Sequence, residues 1–327
     1  MKIILLASVH RLNHYYADLM SFFLKDPENT GQIIDFSKLN RITLRSLLTG
    51  TNSASRRLLA LKNLVKKEDP DLLVIASSKE QFDLRKVREF YHKKILLYDT
   101  EGPNFPGYSH TDWIPLADRV LTASLFIEQK YRGEFPQVRY LPHSVNPERF
   151  SLETGTPRNL STLAFAGRPS PHRVRIFSAL SAYDLKLYGR KWTCKDIPEE
   201  VRKHAHGNFD VYDRDLKHLL NRAGLFINVQ QDHYLPMQTL VNMSVTMAMA
   251  CGCCVIAEYV REIDSAFRIG EEILVWRTPE ELKKQIDFCL ANPGKSREIA
   301  EAGRQRCIRD HGMERRAREI LRLVKED

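Results

Sequence analysis

The segment LVNMSVTMAMACGCCVIAEY, residues 240–259, combines the start of a short helix with polar groups that can bind an anion. Asn242 or Ser244 stands where a helix cap is expected, and Gly252 stands where the helix should end before a buried strand. Backbone N–H groups of the first turn, with the hydroxyls of Ser244 and Thr246, would donate to a diphosphate, whose charge the helix dipole favours. Taken alone, the segment is more typical of a plain capped joint between a helix and a strand than of an anion site.

Other phosphate-binding and nucleophile motifs are absent. The sequence lacks a GxxxxGK[ST] loop, and SVHRLNHYY follows the first strand where a dinucleotide-binding protein has GxGxxG, which argues against kinase-like and NAD-dependent chemistry. It also lacks an HExxH metal helix and a GxSxG elbow. The six cysteines form no pair of CxxC motifs, so we expect buried thiols, no metal site and a reducing, cytoplasmic setting.

The elements that must hold the anion-binding helix follow from the hydrophobic pattern. Apolar runs of strand length alternate with helical stretches in two series, first KIILLAS, QIIDF, DLLVIAS, KILLYD, RVLTAS and VRYLPH, then STLAFAG, LKLYG, GLFINV, CCVIAEY and EILVW. This pattern predicts an α/β fold with two parallel sheets. A polar, turn-rich segment between the series predicts domains at 1–153 and 154–308, and a charged helix over 309–327 is expected to cross back to the first domain. Ligands would collect in a cleft between the domains, at the carboxyl ends of the strands.

Length and composition agree with two ordinary globular domains. The chain has 327 residues, of which 43% are hydrophobic and 28% charged. No apolar run approaches the roughly 20 residues of a membrane-spanning helix. The opening MKIILLASVH fits a first strand better than a signal peptide. The net charge of +9 favours an anionic partner, with nucleic acid possible but not favoured over nucleotide phosphates.

From residue 224 to the end, the sequence resembles the CgeB-like branch of the group 1 glycosyltransferases. That family has an Asn-containing strand, a variable loop, an Arg-x-x-Glu-Ala-x-Ala-Cys-Gly helix and an apolar strand, which LFINVQQ, DHYLPMQTLVN, SVTMAMACG and CCVIAEY resemble here. The upstream segments LAFAGRPSPHRVRIF, LKLYGRKW and RYLPHSVNPERF extend the resemblance more loosely. It implies a GT-B fold, with two Rossmann-like domains facing a cleft, and a nucleotide-diphosphate sugar as donor, most often UDP-linked.

The sequence departs from this family at two positions. Met247 stands where the family has the glutamate that holds the donor, and Ser244 stands at its arginine position. A thioether cannot make the hydrogen bonds of a carboxylate. The resemblance therefore implies that the donor is held in another way, by Glu258 or by Gln230 and Gln231.

Basic and glycine-rich turns complete the donor site that the resemblance implies. Arg168 and Arg173 would pair with the leaving diphosphate, which removes any need for a metal. Gly167 would let the backbone approach the phosphates, and Gly189 with Arg190 would form a second loop. A solvated basic loop and a tight turn are the alternatives for these arginines and for Gly189. The rest of the donor site is expected in the first turn of the helix, at Ser244, Val245 and Thr246.

Candidates for proton transfer and acceptor binding lie after strands of the first series. Asp99 and Glu101 follow KILLY, and Asp99 is the first candidate for the general base of an inverting transferase. A turn or helix cap is the alternative role for an acidic residue there. His143 is the third catalytic candidate. The acceptor side is expected to include His10, His14 and Tyr108.

These observations predict a metal-independent glycosyltransferase without a cofactor, whose second domain holds the donor. The acceptor is a protein, a glycan, a lipid-linked sugar or a modified DNA base. A non-catalytic nucleotide-sugar sensor or scaffold is the main alternative, because Met247 replaces the family's glutamate. A two-domain epimerase would share the architecture. Donor turnover distinguishes a transferase from a sensor, which would bind the nucleotide sugar and leave it intact.

Overall fold

The computed structural model describes residues 1–7, 14–39, 52–76, 83–102 and 111–326, which group into two compact units. Unit 1 comprises Met1–Leu141 and Glu314–Asp327, and unit 2 comprises Pro142–Met313. The boundaries predicted at 153/154 and 308/309 both fall inside unit 2. They differ because the turn-rich segment belongs to unit 2, where Val145 and Phe150 join the hydrophobic core. The C-terminal helix groups with unit 1.

Unit 1 is built on a parallel sheet. Its strands are β1 (Lys2–Ala7), β2 (Thr30–Asp35), β3 (Leu72–Ala76), β4 (Lys94–Asp99), β5 (Arg119–Thr122) and β6 (Val138–Tyr140). They lie in the order β2-β1-β3-β4-β5-β6. The helices described in this unit are α1 (Tyr15–Phe23), α2 (Ser53–Glu68), α3 (Leu84–Arg88), α4 (Leu125–Tyr131) and the C-terminal helix Met313–Lys325. Short 3-10 helices span Phe36–Leu39 and Thr111–Leu116.

Unit 2 repeats this plan with a second parallel sheet. Its strands are β7 (Asn159–Ala166), β8 (Leu185–Tyr188), β9 (Ala223–Asn228), β10 (Cys254–Glu258) and β11 (Leu274–Trp276), in the order β11-β10-β9-β7-β8. Its helices are α5 (Pro171–Ala179), α6 (Glu199–Arg202), α7 (Asp213–Arg222), α8 (Met243–Ala250), α9 (Glu262–Ala266), α10 (Pro279–Ala291) and α11 (Pro293–His311), with a 3-10 helix at Asp232–Met237. The C-terminal helix is α12. In both sheets the second strand lies on one side of the first and the third on the other.

Alternation along the strands of unit 2 builds a core on each face of its sheet. Ala164 packs into one hydrophobic cluster, while its neighbours Leu163 and Phe165 pack into the other. Strands buried on both faces read as continuous apolar runs, which is why each predicted run coincides with a strand. The prediction of an α/β fold with two parallel sheets is confirmed.

The ends of three helices follow from local sequence. Pro171 occupies the first turn of α5, and the hydroxyl of Ser170 accepts from the Arg173 N–H at 3.5 Å. The charged helix predicted over 309–327 is interrupted, because the chain leaves the helical conformation at Gly312 between α11 and α12.

All six cysteines are free thiols. Within the described ranges, no helix has both the length and the apolar character needed to cross a membrane.

Candidate functional site

A cleft of about 440 Å³ lies in unit 2, at the carboxyl ends of three neighbouring strands. Its floor includes Gly167 after β7, Gly189 after β8 and Asn228 at the end of β9. The chain leaves β7 for β8 on one side and later returns to β9 on the other, so loops diverge here and open a crevice. Ligands of doubly wound sheets bind at such a switch point.

The loops after β7 and β8 approach each other backbone to backbone. Gly167 N–H donates to the Tyr188 carbonyl at 2.8 Å, and the indole N–H of Trp192 donates to the Gly167 carbonyl at 2.7 Å. Gly189 has φ +143°, and a Cβ there would lie only 2.8 Å from the carbonyl carbon of Gly167. Gly189 therefore permits this close approach, which a side chain would prevent.

Arg173 places a buried positive charge at the cleft wall. Its guanidinium donates to the Val229 carbonyl at 3.1 and 2.9 Å and to the Arg168 carbonyl at 2.9 Å, and it lies 5.0 Å from the centre of the Phe165 ring. Burial lowers its pKa to about 10, so it stays protonated at neutral pH. These neutral carbonyls do not cancel the charge of the guanidinium, which stays available to an anion in the cleft.

Two more arginines share one carboxylate at the rim. Asp210 accepts from Arg168 at 2.7 Å and pairs with Arg190 at 3.1 Å. The hydrogen bond from Arg168 holds the pKa of Asp210 below its usual value, despite the opposing effect of burial. Both arginine side chains are more than half exposed, at 58% and 59%. Asp210 thus fixes two flexible cations beside the cleft and offsets part of their charge.

The first turn of α8 forms the opposite wall of the cleft. Met243 and Ser244 line it, and no acceptor in the described part of the chain pairs with either backbone N–H. Asn242 begins the helix without a side-chain cap, and its amide NH₂ donates to the side-chain oxygen of Gln230 at 3.1 Å. Two N–H groups and the positive end of the helix dipole therefore face a site suited to an anion.

The structure places the other predicted residues of this turn differently. Val245 is 1% exposed in the core, and its N–H donates to the Asn242 carbonyl at 3.0 Å. Thr246 is 2% exposed, and its hydroxyl donates to the Met243 carbonyl at 2.9 Å. Sequence spacing did not separate the faces of α8, because the helix is apolar nearly all round. Of the three predicted residues, only Ser244 lines the cleft.

Glu258 and Gln230, proposed above to hold the donor, do not line the cleft. Glu258 contacts His172 at 2.9 and 3.1 Å and accepts from the Gln230 N–H at 2.7 Å. The Gln230 amide bonds to Leu240 and Asn242. Both side chains are therefore engaged within unit 2, whereas Gln231 lines the cleft.

Asp99 has the contacts of a turn-forming carboxylate. It is fully buried at the end of β4, and one oxygen accepts from the N–H groups of Glu101 and Gly102, each at 2.8 Å. The other oxygen accepts from the Thr122 hydroxyl. These bonds match the turn-forming alternative and correct the choice of Asp99 as the first candidate base. Glu101 is half-buried on the same turn and keeps its candidacy.

The histidine and tyrosine candidates are scattered. His143 is 5% exposed in unit 2 and is not a lining residue of the cleft. His14 lies half-buried in unit 1 just before α1. His10 and Tyr108 lie outside the described residues.

If the cleft holds the UDP-linked donor that the sequence resemblance implies, replacing Arg168 with alanine should weaken UDP binding modestly, by about two- to fivefold. The side chain is exposed and already paired with Asp210, and such contacts are worth up to ~1 kcal/mol. Isothermal titration against the wild type measures the change. The exposed Arg297 provides the matched control, with Arg297→Ala expected to leave affinity unchanged. A loss of UDP affinity above about fiftyfold for Arg168→Ala would contradict the view that Arg168 makes only an exposed, modest contact at the rim of the cleft.

Comparison with known families gives a match over part of the chain that includes this cleft. Residues 172–322 match the family model described as glycosyl transferase-like. The matched span contains Arg173, Asp210 and Ser244 of the cleft. No significant sequence relative is found among curated proteins.

Solved structures identify the fold as GT-B. Sucrose-phosphate synthase from Thermosynechococcus elongatus has a TM-score of 0.72 at 15% identity, over 100% of this chain and 98% of that chain. HepE from Anabaena, solved with UDP and glucose, has a TM-score of 0.70 at 13% identity over 100% of both chains. An alpha-glucosyltransferase solved with UDP-glucose and DNA containing an abasic site has 0.62 at 10% identity, over 99% of each chain. The GT-B prediction is confirmed.

Proposed function

We propose that this protein transfers a sugar, in the simplest case a hexose, from a UDP-linked donor to an acceptor, without a metal ion or cofactor. The observation that carries this proposal is the buried Arg173 guanidinium, held by carbonyls at one wall of the cleft. The uncapped first turn of α8 at the other wall adds a second anion-binding element. The glycosyl transferase-like match and the UDP bound by HepE support a nucleoside diphosphate as the anion.

The chemistry asked of this cleft is stabilisation of a leaving group. When the bond between the sugar's anomeric carbon and the phosphate oxygen breaks, the electron pair stays on that oxygen and negative charge grows on the diphosphate. Fixed cations and N–H dipoles stabilise that charge without reorganising. Arg173 and the start of α8 supply both kinds of group, so the proposal needs no divalent cation.

The acceptor side of the proposal is assigned to unit 1. An inverting reaction needs a base for the acceptor proton, and Glu101 of unit 1 is the carboxylate proposed for it, with His143 of unit 2 as the second candidate. A retaining reaction would depend mainly on the leaving-group contacts in unit 2. The acceptor class stays open among protein, glycan, lipid-linked sugar and modified DNA base, and membership in the CgeB-like branch is part of the proposal.

A nucleotide-sugar sensor is the second candidate function. Met247 favours it, because this half-buried thioether packs against the core of unit 2 where the resembled family has its glutamate. Incubation with UDP-glucose and other UDP-sugars separates the two functions. Release of UDP, with or without acceptor, supports the transferase, whereas tight binding of an intact donor supports the sensor.

A thermal-shift screen of nucleotide sugars should raise the unfolding midpoint most with UDP-linked donors. A ligand at about a hundred times its dissociation constant stabilises the native state by about 2.7 kcal/mol. The shift should be unchanged by EDTA, since the proposed diphosphate contacts are arginines and N–H groups.

Two results of that screen would count against the proposal. A thermal shift that disappears in EDTA would refute metal independence, but the donor site itself would stand, because the shift without EDTA shows that the donor binds. No shift with any nucleotide sugar or nucleoside diphosphate would refute the donor site itself.

A further inference from the structure

Glu258, the last residue of β10, joins two walls of the cleft through hydrogen bonds. The side chain is nearly buried, with the residue 8% exposed. Both carboxylate oxygens contact Nε2 of His172, at 2.9 and 3.1 Å, and one of them accepts from the Gln230 N–H at 2.7 Å. One carboxylate therefore ties the first turn of α5 to the segment after β9.

The His172 ring has a defined proton arrangement. Nη2 of Arg175 lies 2.9 Å from Nδ1 of His172, and a guanidinium can only donate. Nδ1 must then accept, so Nε2 carries the proton and donates to Glu258. Trp276 stacks on the ring at 6.5 Å with an interplanar angle of 15°. The imidazole is held on three sides, immediately before Arg173 in the chain.

Gln230 carries the connection to the other wall. Its side chain is buried, and its amide donates to the Leu240 carbonyl at 3.1 Å and accepts from Asn242 at 3.1 Å. Leu240 has φ +78° and Gln238 has φ +44°, left-handed values that are strained in non-glycine residues. Surrounding contacts must hold such a loop, and this loop leads directly into α8.

The same segment also supports the buried cation. Arg173 donates twice to the carbonyl of Val229, the residue before Gln230. The carboxylate of Glu258 is therefore linked through His172 and Gln230 to both phosphate-binding groups proposed above, although it does not line the cleft. Its influence on a ligand must pass through the residues that it holds.

We propose that Glu258 is a positioning residue that sets the spacing between Arg173 and the first turn of α8, and thereby recognition of the second phosphate of the donor. This inference rests on the proposed function. A diphosphate that reaches both walls needs them at a fixed separation, because charge-assisted hydrogen bonds lose strength when their geometry is lost. A ligand with a single phosphate does not need to reach both walls.

The test substitutions follow from the proton arrangement. In Glu258→Gln, an amide oxygen can still accept from the Gln230 N–H, but the NH₂ group replaces the oxygen that lies 2.9 Å from Nε2 of His172. There a donor faces a donor, and only the longer 3.1 Å contact with Nε2 remains. His172→Gln is the matched control, because its NH₂ can donate to Glu258 while its oxygen accepts from Arg175. His172→Leu removes both bonds.

Isothermal titration with UDP and with UMP measures how strongly each variant prefers the diphosphate, as the ratio of the UMP dissociation constant to the UDP dissociation constant. In Glu258→Gln and His172→Leu we expect UDP to lose about tenfold in affinity and UMP to change little, so the preference for UDP shrinks about tenfold. His172→Gln should keep the wild-type ratio. Thermal midpoints taken alongside show that each variant is folded.

The outcomes separate this inference from the proposed function. A UDP-to-UMP preference in Glu258→Gln equal to that of the wild type overturns the inference. An equal loss of affinity for UDP and for UMP also overturns it, because such a loss indicates a general structural defect. A wild-type protein that binds no UDP refutes the proposed function instead. Inorganic pyrophosphate then tests the spacing of the two walls directly, since it lacks the nucleoside, and equal affinity in wild type and Glu258→Gln would overturn the inference.

Discussion

Replacing Arg173 with methionine should reduce UDP affinity by about 10- to 100-fold, the largest effect expected for any single side chain of the cleft. The substitution keeps an apolar stem against Phe165 but removes the buried charge, and hydrogen bonds to charged groups are worth about 1.5–3 kcal/mol. Isothermal titration at fixed ionic strength measures the loss. The UDP affinity of Arg173→Lys should fall between that of the wild type and that of Arg173→Met. Lysine keeps the charge but lacks the forked guanidinium that reaches both Val229 and Arg168.

This substitution also affects folding, which the experiment must separate from binding. The carbonyls of Val229 and Arg168 lose their donor, at a cost of about 1–3 kcal/mol for a buried acceptor. Denaturant unfolding of each variant gives that cost independently of UDP. Arg297→Ala removes the same charge from an exposed position and should change neither property. An Arg173→Met protein that folds and binds UDP like the wild type would remove the central support for the proposed donor site.

Gly189→Ala should destabilise unit 2 and weaken UDP binding together. The new methyl group would overlap the backbone carbonyl of Gly167, and backbone cannot move aside as a flexible side chain can. With φ at +143°, alanine is also strained. Overpacking and strain each cost about 1–3 kcal/mol, so we expect a loss of about 2–5 kcal/mol in the free energy of unfolding.

The binding defect has a separate cause. Moving Gly167 displaces the turn that carries Arg168, whose carbonyl is one of the acceptors that hold Arg173. We therefore expect at least a tenfold loss of UDP affinity in the folded fraction, measured by titration well below the unfolding midpoint. Gly294→Ala is the matched control, since a Cβ there meets no atom within 4 Å and the residue lies in the first turn of α11. Equal behaviour of the two alanine variants would show that the close approach of the two loops has no role.

Local pattern was sufficient for the elements and for part of the site. Parallel strands buried on both faces must be continuous apolar runs, so the runs in the sequence located the strands. Glycines and arginines directly after such runs had to gather at one edge of a sheet, because parallel strands end on the same side. Gly167 and Gly189 directly follow such runs, and Arg173 lies in the helix after the first of them. All three line the cleft, and their part in donor binding stays a prediction.

Local pattern misled where burial decided the outcome. Asp99 follows a strand as a catalytic carboxylate would, yet the turn after β4 closes on it and Thr122 of the next strand covers its other oxygen. The boundary predicted at 153/154 falls later in the chain than Pro142, where unit 2 begins, for a similar reason. Phe150 stands in a polar segment that looks like a linker, but packing draws it into the core of unit 2.

The sequence by itself determined the fold class, the order of the elements and the basic and glycine-rich turns that line the cleft. Only the tertiary structure decided which charges pair. Asp210 meets Arg168 across 42 residues, and Glu258 meets His172 across 86. Neither pair has a motif, because a carboxylate accepts from whatever donor the packing of the sheet brings within about 3 Å. The same packing turned Gln230 and Glu258 from expected donor ligands into supports of the loops that form the cleft.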